Sequence, residues 1–451
     1  MNIIGLDIGT TTLCAVVTDR DTGAILHSVT KNNDTFLGGF APYERVQDPA
    51  EILRRCTALI AELTAGFAPV GAIGITGQMH GIVYLDQSGT AVSPLYIWQD
   101  ESGNQPMDSA ETYAEHLSAL TGYPMASGFG CCTYYCHAQK GTVPENAVGI
   151  CTIHDYVAMH LAGRTTPVMH TSDAASFGLF DLKALCFDKA AIEKAGLDFA
   201  LFPEVVRDFT VIGQYGNIPV VCAIGDNQAS FIGSVRDAEN SVLVNLGTGG
   251  QVSFLTDTAD STGLEVRPCY GDKYICVGAV LCGGRAFAAL ERFLRSVAEL
   301  VTGEPVASAY PAMDRFLAEN VTFDDPLTAD TRFAGTRENP ALRGSITEIG
   351  TENFDAKHLI LGVMDGMVTE MLDLYDSAPH GAHTTVVCSG NGLRKNDALR
   401  RLYGKRFGMA TVTPAHKEEA AFGAALSAMT ACGIYETLEQ AQKLILYSEE
   451  K

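Results

Sequence analysis

The chain carries no Walker A loop: its one Gly-Lys pair in a glycine-rich setting, Gly404-Lys405, lacks the leading glycine and the following Ser or Thr. A phosphate cradle of the P-loop kind is therefore excluded. No apolar run approaches the roughly 20 residues that cross a bilayer, and no basic segment precedes an apolar one at the N-terminus. A cytosolic protein without a membrane partner is expected. Basic residues are scarce, 31 Lys and Arg against 53 Asp and Glu, for a net charge of −22. That balance repels nucleic acid and anionic lipid. Tryptophan occurs once, as Trp98. Cysteine is not scarce, but its count of 13 is odd, and in a cytosolic chain it reads as reduced thiol. Cys14, Cys222, Cys276 and Cys388 fall in apolar strand-like runs, where a thiol acts as a small hydrophobe. Cys131, Cys132, Cys136 and His137 cluster, yet no second cluster with zinc-ligand spacing accompanies them, and no structural metal is expected there.

What is present is a motif that occurs twice, half the chain apart. Residues 4–19 read IGLDIGTTTLCAVVTD and residues 242–257 read VLVNLGTGGQVSFLTD. Setting Asp7 on Asn245 brings Gly9 onto Gly247, Thr10 onto Thr248, Thr18 onto Thr256 and Asp19 onto Asp257. Each copy reads as a hairpin with a Gly-Thr tip, where bare backbone and hydroxyls can surround an anionic oxygen. Recurrence at half-chain spacing points to a duplicated domain, and two such tips read as two jaws for a polyphosphate. A bilobal protein with a deep cleft is expected, its halves spanning residues 1–235 and 236–451 and meeting in the polar stretch Arg236–Asn240.

Between and after the hairpins, strand-like and helical runs alternate, which implies α/β layers. Val70–Thr76 and Val220–Gly225 are apolar runs that end in glycine. Asp48-Pro49-Ala50-Glu51 is a helix start, followed by Ile52, Cys56, Leu59, Ile60 and Leu63 on one predicted buried face. Thr384–Ser389, the turn Gly390-Asn391-Gly392 and a helix from Asp397 form a later βα unit. Glu419–Leu426 reads as a helix whose small residues permit close approach to a neighbour.

These motifs together resemble the FGGY-type carbohydrate kinases of the actin-like ATPase superfamily, in order and over nearly the whole chain. Leu6–Thr12 resembles the family's first phosphate hairpin and Asn245–Gly249 its second. Gly77-Gln78-Met79-His80-Gly81 and Trp98-Gln99-Asp100 resemble its sugar wall, and Gly225–Ala229 its catalytic Asp segment. Ser389–Gly392 with Asn396 resembles its adenosine turn, and Glu419–Ala425 its closing helix. Gly128–Thr133, Thr152–Tyr156 and Ser172–Ser176 resemble segments of the sedoheptulokinase subfamily. The resemblance implies two duplicated actin-like (ribonuclease H-like) domains and ATP with Mg²⁺ as cofactors. It also implies phosphorylation of a ketose at its terminal primary hydroxyl, with sedoheptulose 7-phosphate as first expectation. Another sugar or polyol kinase, xylulokinase above all, and an actin-like ATPase acting as chaperone or regulator stay open. So does the choice between monomer and homodimer.

Residue roles follow from the same resemblance. Asp226 is the expected base, at the C-terminal end of a strand where open α/β sheets place their sites; a helix N-cap is the competing role. Asp7 puts a carboxylate at a phosphate tip, which makes sense if Mg²⁺ intervenes; hydrogen bonding within its own turn is the alternative. Gly9, Thr10, Thr11, Thr12, Gly247, Thr248 and Gly249 would hold phosphates, and Gly390, Asn391, Gly392 and Asn396 the adenosine. Gln78, Met79, His80, Trp98, Gln99, Asp100 and Asp226 would contact the sugar, against the alternatives of a satisfied loop histidine for His80 and an ordinary core aromatic for Trp98.

Overall fold

In the computed structural model, which describes residues 1–107, 111–260, 263–336 and 339–448, the opening apolar run forms β1 (Asn2–Ile8) and its continuation β2 (Thr12–Asp19). They pair antiparallel, with Ile8 opposite Leu13. β3 (Ile25–Asn32) extends the ladder. Helix α1 (Pro49–Gly66) starts where the sequence predicts: the Asp48 carboxylate accepts from the amides of Ala50 and Glu51, and Pro49 opens the first turn. Its predicted apolar face, Ile52 to Leu63, is buried.

β4 (Val70–Gly77) then lies parallel to β1, and Asp7 stands beside Thr76. After α2 (Ile153–Leu161) and α3 (Thr171–Phe177) the chain adds β5 (Val211–Tyr215), β6 (Ile218–Val221) and β7 (Ile224–Gly225). The run predicted as one strand over Val220–Gly225 is thus broken at Cys222-Ala223, and both pieces pair with β4. The sheet has seven strands in the order β5-β6-β4-β1-β2-β3, with β7 also on β4. β1 is buried on both faces: Ile3, Ile4, Leu6 and Ile8 have no exposed surface. Helix α4 (Asp226–Ser234) follows β7 directly.

The second half repeats the scheme. β8 (Ser241–Leu246) and β9 (Gly250–Thr256) form the second hairpin, with Leu246 opposite Gly250. Helices α5 (Gly283–Thr302) and α6 (Ala356–Asp376) precede β10 (Thr385–Ser389), which runs parallel to β8 and places Ser389 beside Asn245. The one-turn α7 (Asn391–Arg394), α8 (Asp397–Phe407) and β11 (Ala410–Val412) complete the run β9-β8-β10-β11.

The two hairpins match through their Gly-Thr tips and then slip. The first tip holds four residues between paired positions and the second three, so Thr18 corresponds in space to Leu255 rather than Thr256. The ungapped sequence match of the outgoing strands is corrected by that one residue.

Residue contacts divide the chain into two units, Met1–Arg236 with Arg267–Tyr274 and Glu418–Leu446, and Asp237–Val266 with Ile275–Lys417 and residues 447 and 448. Helix α9 (Glu419–Ala431) therefore belongs to the first unit, although a cut of the chain near residue 236 assigns it to the second half. Its small residues explain why. A Cβ on Gly5 of β1 would stand 1.8 Å from the Ala421 carbonyl oxygen, and one on Gly74 of β4 1.9 Å from that of Ala424. Gly423 meets the Ala229 carbonyl of α4 equally closely, and Gly233 that of Glu419. Only glycine lets these backbones touch.

All thirteen cysteines are free, and Cys131, Cys132 and Cys136 are buried in the helix Gly130–Lys140. Among the described residues no helix is long and apolar enough to cross a membrane.

Candidate active site

Three strand ends of the first unit converge. Ile8 of β1 pairs with Gly77 of β4, and Gly77 pairs with Gly225 of β7, so Asp7, the Gln78–His80 segment and Asp226 leave one sheet edge together. Asp226 is the first helical residue of α4, with Gly225 as the N-cap. The capping role weighed from sequence therefore falls to its neighbour. Asp226 keeps a partly exposed edge but is ringed by protein, and burial pushes its carboxyl up to about 6, against the opposing charges of His154 and Arg267. Asp7 rises further, to about 7, through burial first and the Asp226 charge second. Among the described residues no hydrogen bond reaches its carboxylate.

The first tip, Gly9 to Thr12, is braced from beneath. Asn33 donates to the Gly9 carbonyl at 2.8 Å and Gln47 to that of Thr10 at 2.9 Å. The Thr10 hydroxyl donates to Gln78 Oε1 at 3.0 Å and accepts from the Trp98 indole at 3.0 Å, while Gln78 donates onward to Gln47. The first tip, Gln78 and Trp98 are thus one hydrogen-bonded network. Thr11 is exposed at the tip.

Trp98 is 47% exposed, which removes the core-aromatic alternative, and Gln99 is exposed beside it. Asp100 is buried and accepts from the amides of Arg45 and Ser102, so its carboxylate anchors the loop that carries Trp98. His80 sits in the left-handed region (φ 74°) and stacks on Phe129 at 4.6 Å. Its Nδ1 meets the Ser176 carbonyl oxygen at 2.7 Å, which fixes the ring in its loop. Met79 packs under Gly225, where a Cβ would meet its sulfur at 2.8 Å.

In the second unit, Gly247, Thr248 and Gly249 form the second tip, with Gly247 and Thr248 exposed. The amides of Gly284 and Arg285, at the start of α5, donate to the carbonyls of Gly247 and Thr248. Gly390 (φ 80°) passes 2.6 Å from the Leu246 carbonyl oxygen as measured from a would-be Cβ, with Asn245 Oδ1 at 2.8 Å. Asn391 and Gly392 lie within α7 rather than in an open turn. Asn396 caps α8 through a 2.9 Å bond from the Leu399 amide.

Sequence reasoning missed Asn33 and Gln47 as supports of the first tip, and the charge of Arg267 acting on Asp226. Their partners lie far away in the chain, and no local pattern marks them. It also missed the pairing of His154 and Asp173, whose side chains meet at 2.8 Å with no exposed surface. With Asp155 they are the one described His, Cys, Asp and Glu group placed to hold a metal, one donor each within 4.8 Å. Their charges already answer one another, and the cluster reads as a buried ion pair.

Comparison with known proteins agrees with this geometry. The sequence matches the N-terminal domain of the FGGY family of carbohydrate kinases over residues 2–233 and its C-terminal domain over residues 242–432. It is 27% identical to the sedoheptulokinase of Mus musculus across 94% of this chain and 96% of that one. The fold is shared with the xylulose kinase of Rhodospirillum rubrum (TM-score 0.83, 21% identity, 99% of this chain and 93% of that one). It is shared as well with the glycerol kinase of Plasmodium falciparum solved with ADP (TM-score 0.79, 18% identity, 98% and 92%). The chain belongs to the FGGY family of carbohydrate kinases.

Proposed function

We propose that the protein transfers the terminal phosphoryl group of ATP to the primary hydroxyl at the end of a ketose, with sedoheptulose giving its 7-phosphate as the preferred reaction. The observation that carries the proposal is Asp226, a carboxylate on the same sheet edge as the Gln78–His80 segment whose proton affinity, near 6, suits a base working at neutral pH. Asp226 takes the hydroxyl proton as the sugar oxygen bonds to the γ-phosphorus. The bond from that phosphorus to the β–γ bridging oxygen breaks, and ADP leaves.

Gly9–Thr12 and Gly247–Gly249 are the phosphate-binding turns, and Gly390–Gly392 gives adenosine a bare backbone to lie against. Asn396 supports that turn by starting α8. Asp7 fits Mg²⁺: it is a hard oxygen donor that no hydrogen bond reaches among the described residues, and its raised proton affinity marks a carboxylate short of positive charge. When bound, Mg²⁺ would neutralise phosphate charge. Gln78, Trp98 and Thr10 form the polar edge that reads sugar hydroxyls, and Trp98 adds an apolar face.

The seven-carbon preference is supported by similarity to sedoheptulokinase along nearly the whole of both chains. A site built to hydrogen-bond an additional hydroxyl disfavours the shorter sugar that leaves its groups unpaired. The test is ADP release with sedoheptulose, xylulose, ribulose and glycerol at fixed ATP and Mg²⁺. Sedoheptulose should give the highest kcat/KM. Equal or better use of xylulose would overturn the sugar assignment and leave the kinase, whereas no sugar-dependent ADP release would overturn both.

A further inference from the structure

Helix α5 (Gly283–Thr302) carries an apolar seam that its own unit covers only in part. Ala286, Leu290, Phe293, Val297 and Leu300 recur at alternating spacings of four and three residues, which lays one stripe along a helix. The stripe begins in the interior, with Ala286 fully buried and Leu290 7% exposed. It then runs out into the open: Phe293 is 50% exposed, Val297 41% and Leu300 84%, with Val301 beside them at 78%. Charge lies on the opposite side of the helix, where Arg295 bridges Glu291 and Glu299 at 3.5 and 3.6 Å. Tyr310, 38% exposed, stacks on Phe287 at 6.0 Å and widens the patch from the helix Tyr310–Ala318.

A lone surface leucine needs no partner, whereas a contiguous apolar seam marks an interface. The uncovered parts of these side chains amount to about 500 Å², of the roughly 800 Å² that each partner of a standard interface buries. That share, about three-fifths, is close to the apolar fraction of homodimer faces.

The charges at the ends of the seam favour a second copy of this chain as the occupant. Arg292, exposed, lies at its inner end, and Glu304, exposed just past the Gly303 cap, at its outer end. A twofold axis sets two such helices antiparallel. With the axis passing midway between Val297 and Leu300, Val297 of one copy faces Leu300 of the second, and Arg292 comes level with Glu304. Symmetry repeats the pairing, so unlike charges close both ends. A parallel arrangement would instead set Arg292 on Arg292 and Glu304 on Glu304. A lipid surface fits less well, because the net charge of −22 repels anionic headgroups.

We propose that the protein is a homodimer whose two α5 helices pack antiparallel about a twofold axis along the Phe293–Val301 seam, with Arg292 of each copy against Glu304 of the other.

The experiment is analytical ultracentrifugation of the full-length protein over a dilution series, and it needs no substrate. The parent should sediment at twice the 48.1 kDa of one chain. Leu300→Glu should sediment as a folded single chain, because that side chain lies largely outside the fold already. Val301→Glu gives the same reading should the first variant fail to fold. Arg292→Glu and Glu304→Arg should each weaken the dimer about tenfold, and the two together should restore it to within about threefold of the parent.

A parent that stays a single chain at every concentration overturns the proposal, and so does a dimer that Leu300→Glu and Val301→Glu leave intact. A monomeric parent that binds phosphatidylserine vesicles, and loses that binding in Leu300→Glu, gives the seam to lipid and overturns it equally. A double variant no tighter than either single one overturns the antiparallel arrangement.

Discussion

Replacing Asp226 with Asn tests the chemistry most directly. The amide is isosteric and sits in the first turn of α4 without acting as its cap, so the fold should survive. With its proton affinity near 6, Asp226 is about nine-tenths ionised at pH 7 and about one-tenth at pH 5. The parent enzyme should therefore lose kcat/KM about tenfold for each pH unit below 6, and the variant should lose that limb altogether. Removal of a positioned base costs about a hundredfold or more in kcat, equivalent to roughly 2.7 kcal/mol of barrier. Binding should change little.

Stability separates chemistry from folding. A carboxyl raised from 3.8 to about 6 binds its proton more tightly in the folded protein than in the unfolded chain. The folded state therefore loses stability as pH climbs from about 4 to 6, and the penalty persists above that. Asp226→Asn removes the penalty, so its Tm at pH 8 should equal or exceed the parent's. Coupled ADP release gives the rates and calorimetry the Tm. A kcat within a few-fold of the parent, or an acid limb centred near 4, refutes the assignment.

Three further outcomes are expected. Gly423→Ala should destabilise the first unit by about 3 kcal/mol or more, read by denaturant unfolding, because its Cβ would lie 1.9 Å from the Ala229 carbonyl oxygen; an unchanged midpoint would mean that α9 is packed differently. Trp98, the single tryptophan, is half exposed and bonded to Thr10, so its fluorescence should shift on titration with the accepted sugar, and Trp98→Phe should raise KM more than it lowers kcat. Native protein should react rapidly with a thiol reagent at Cys186 alone, since eleven of the other twelve cysteines are buried and Cys432 is partly covered; several fast thiols would contradict the packing.

Much of the site was legible because its parts are short and local. A Gly-Thr tip between two apolar runs specifies a hairpin wherever it occurs, and Asp48-Pro49 specifies the start of α1, since each depends on neighbours a few residues away. The small residues of Glu419–Leu426 announced a close approach, but not the partner. A run of Gly and Ala permits contact without choosing it, and the choice came from Gly5, Gly74 and Gly233 on other elements. The role of Asn396 was hidden for the converse reason, since a residue able to meet a ligand is equally able to cap a helix.

By itself the sequence determined the α/β alternation, the duplicated hairpins and the identity of the residues that the strand ends carry, because these follow from periodicity and turn chemistry within single segments. Tertiary structure alone decided which residues share a charge. Asp7, His154, Asp173 and Asp226 are separated by long stretches of chain and are brought together by parallel strands ending side by side over a glycine. Their proton affinities are set by burial and by each other, through electrostatics that depend on distance in space and on nothing in the order of the chain.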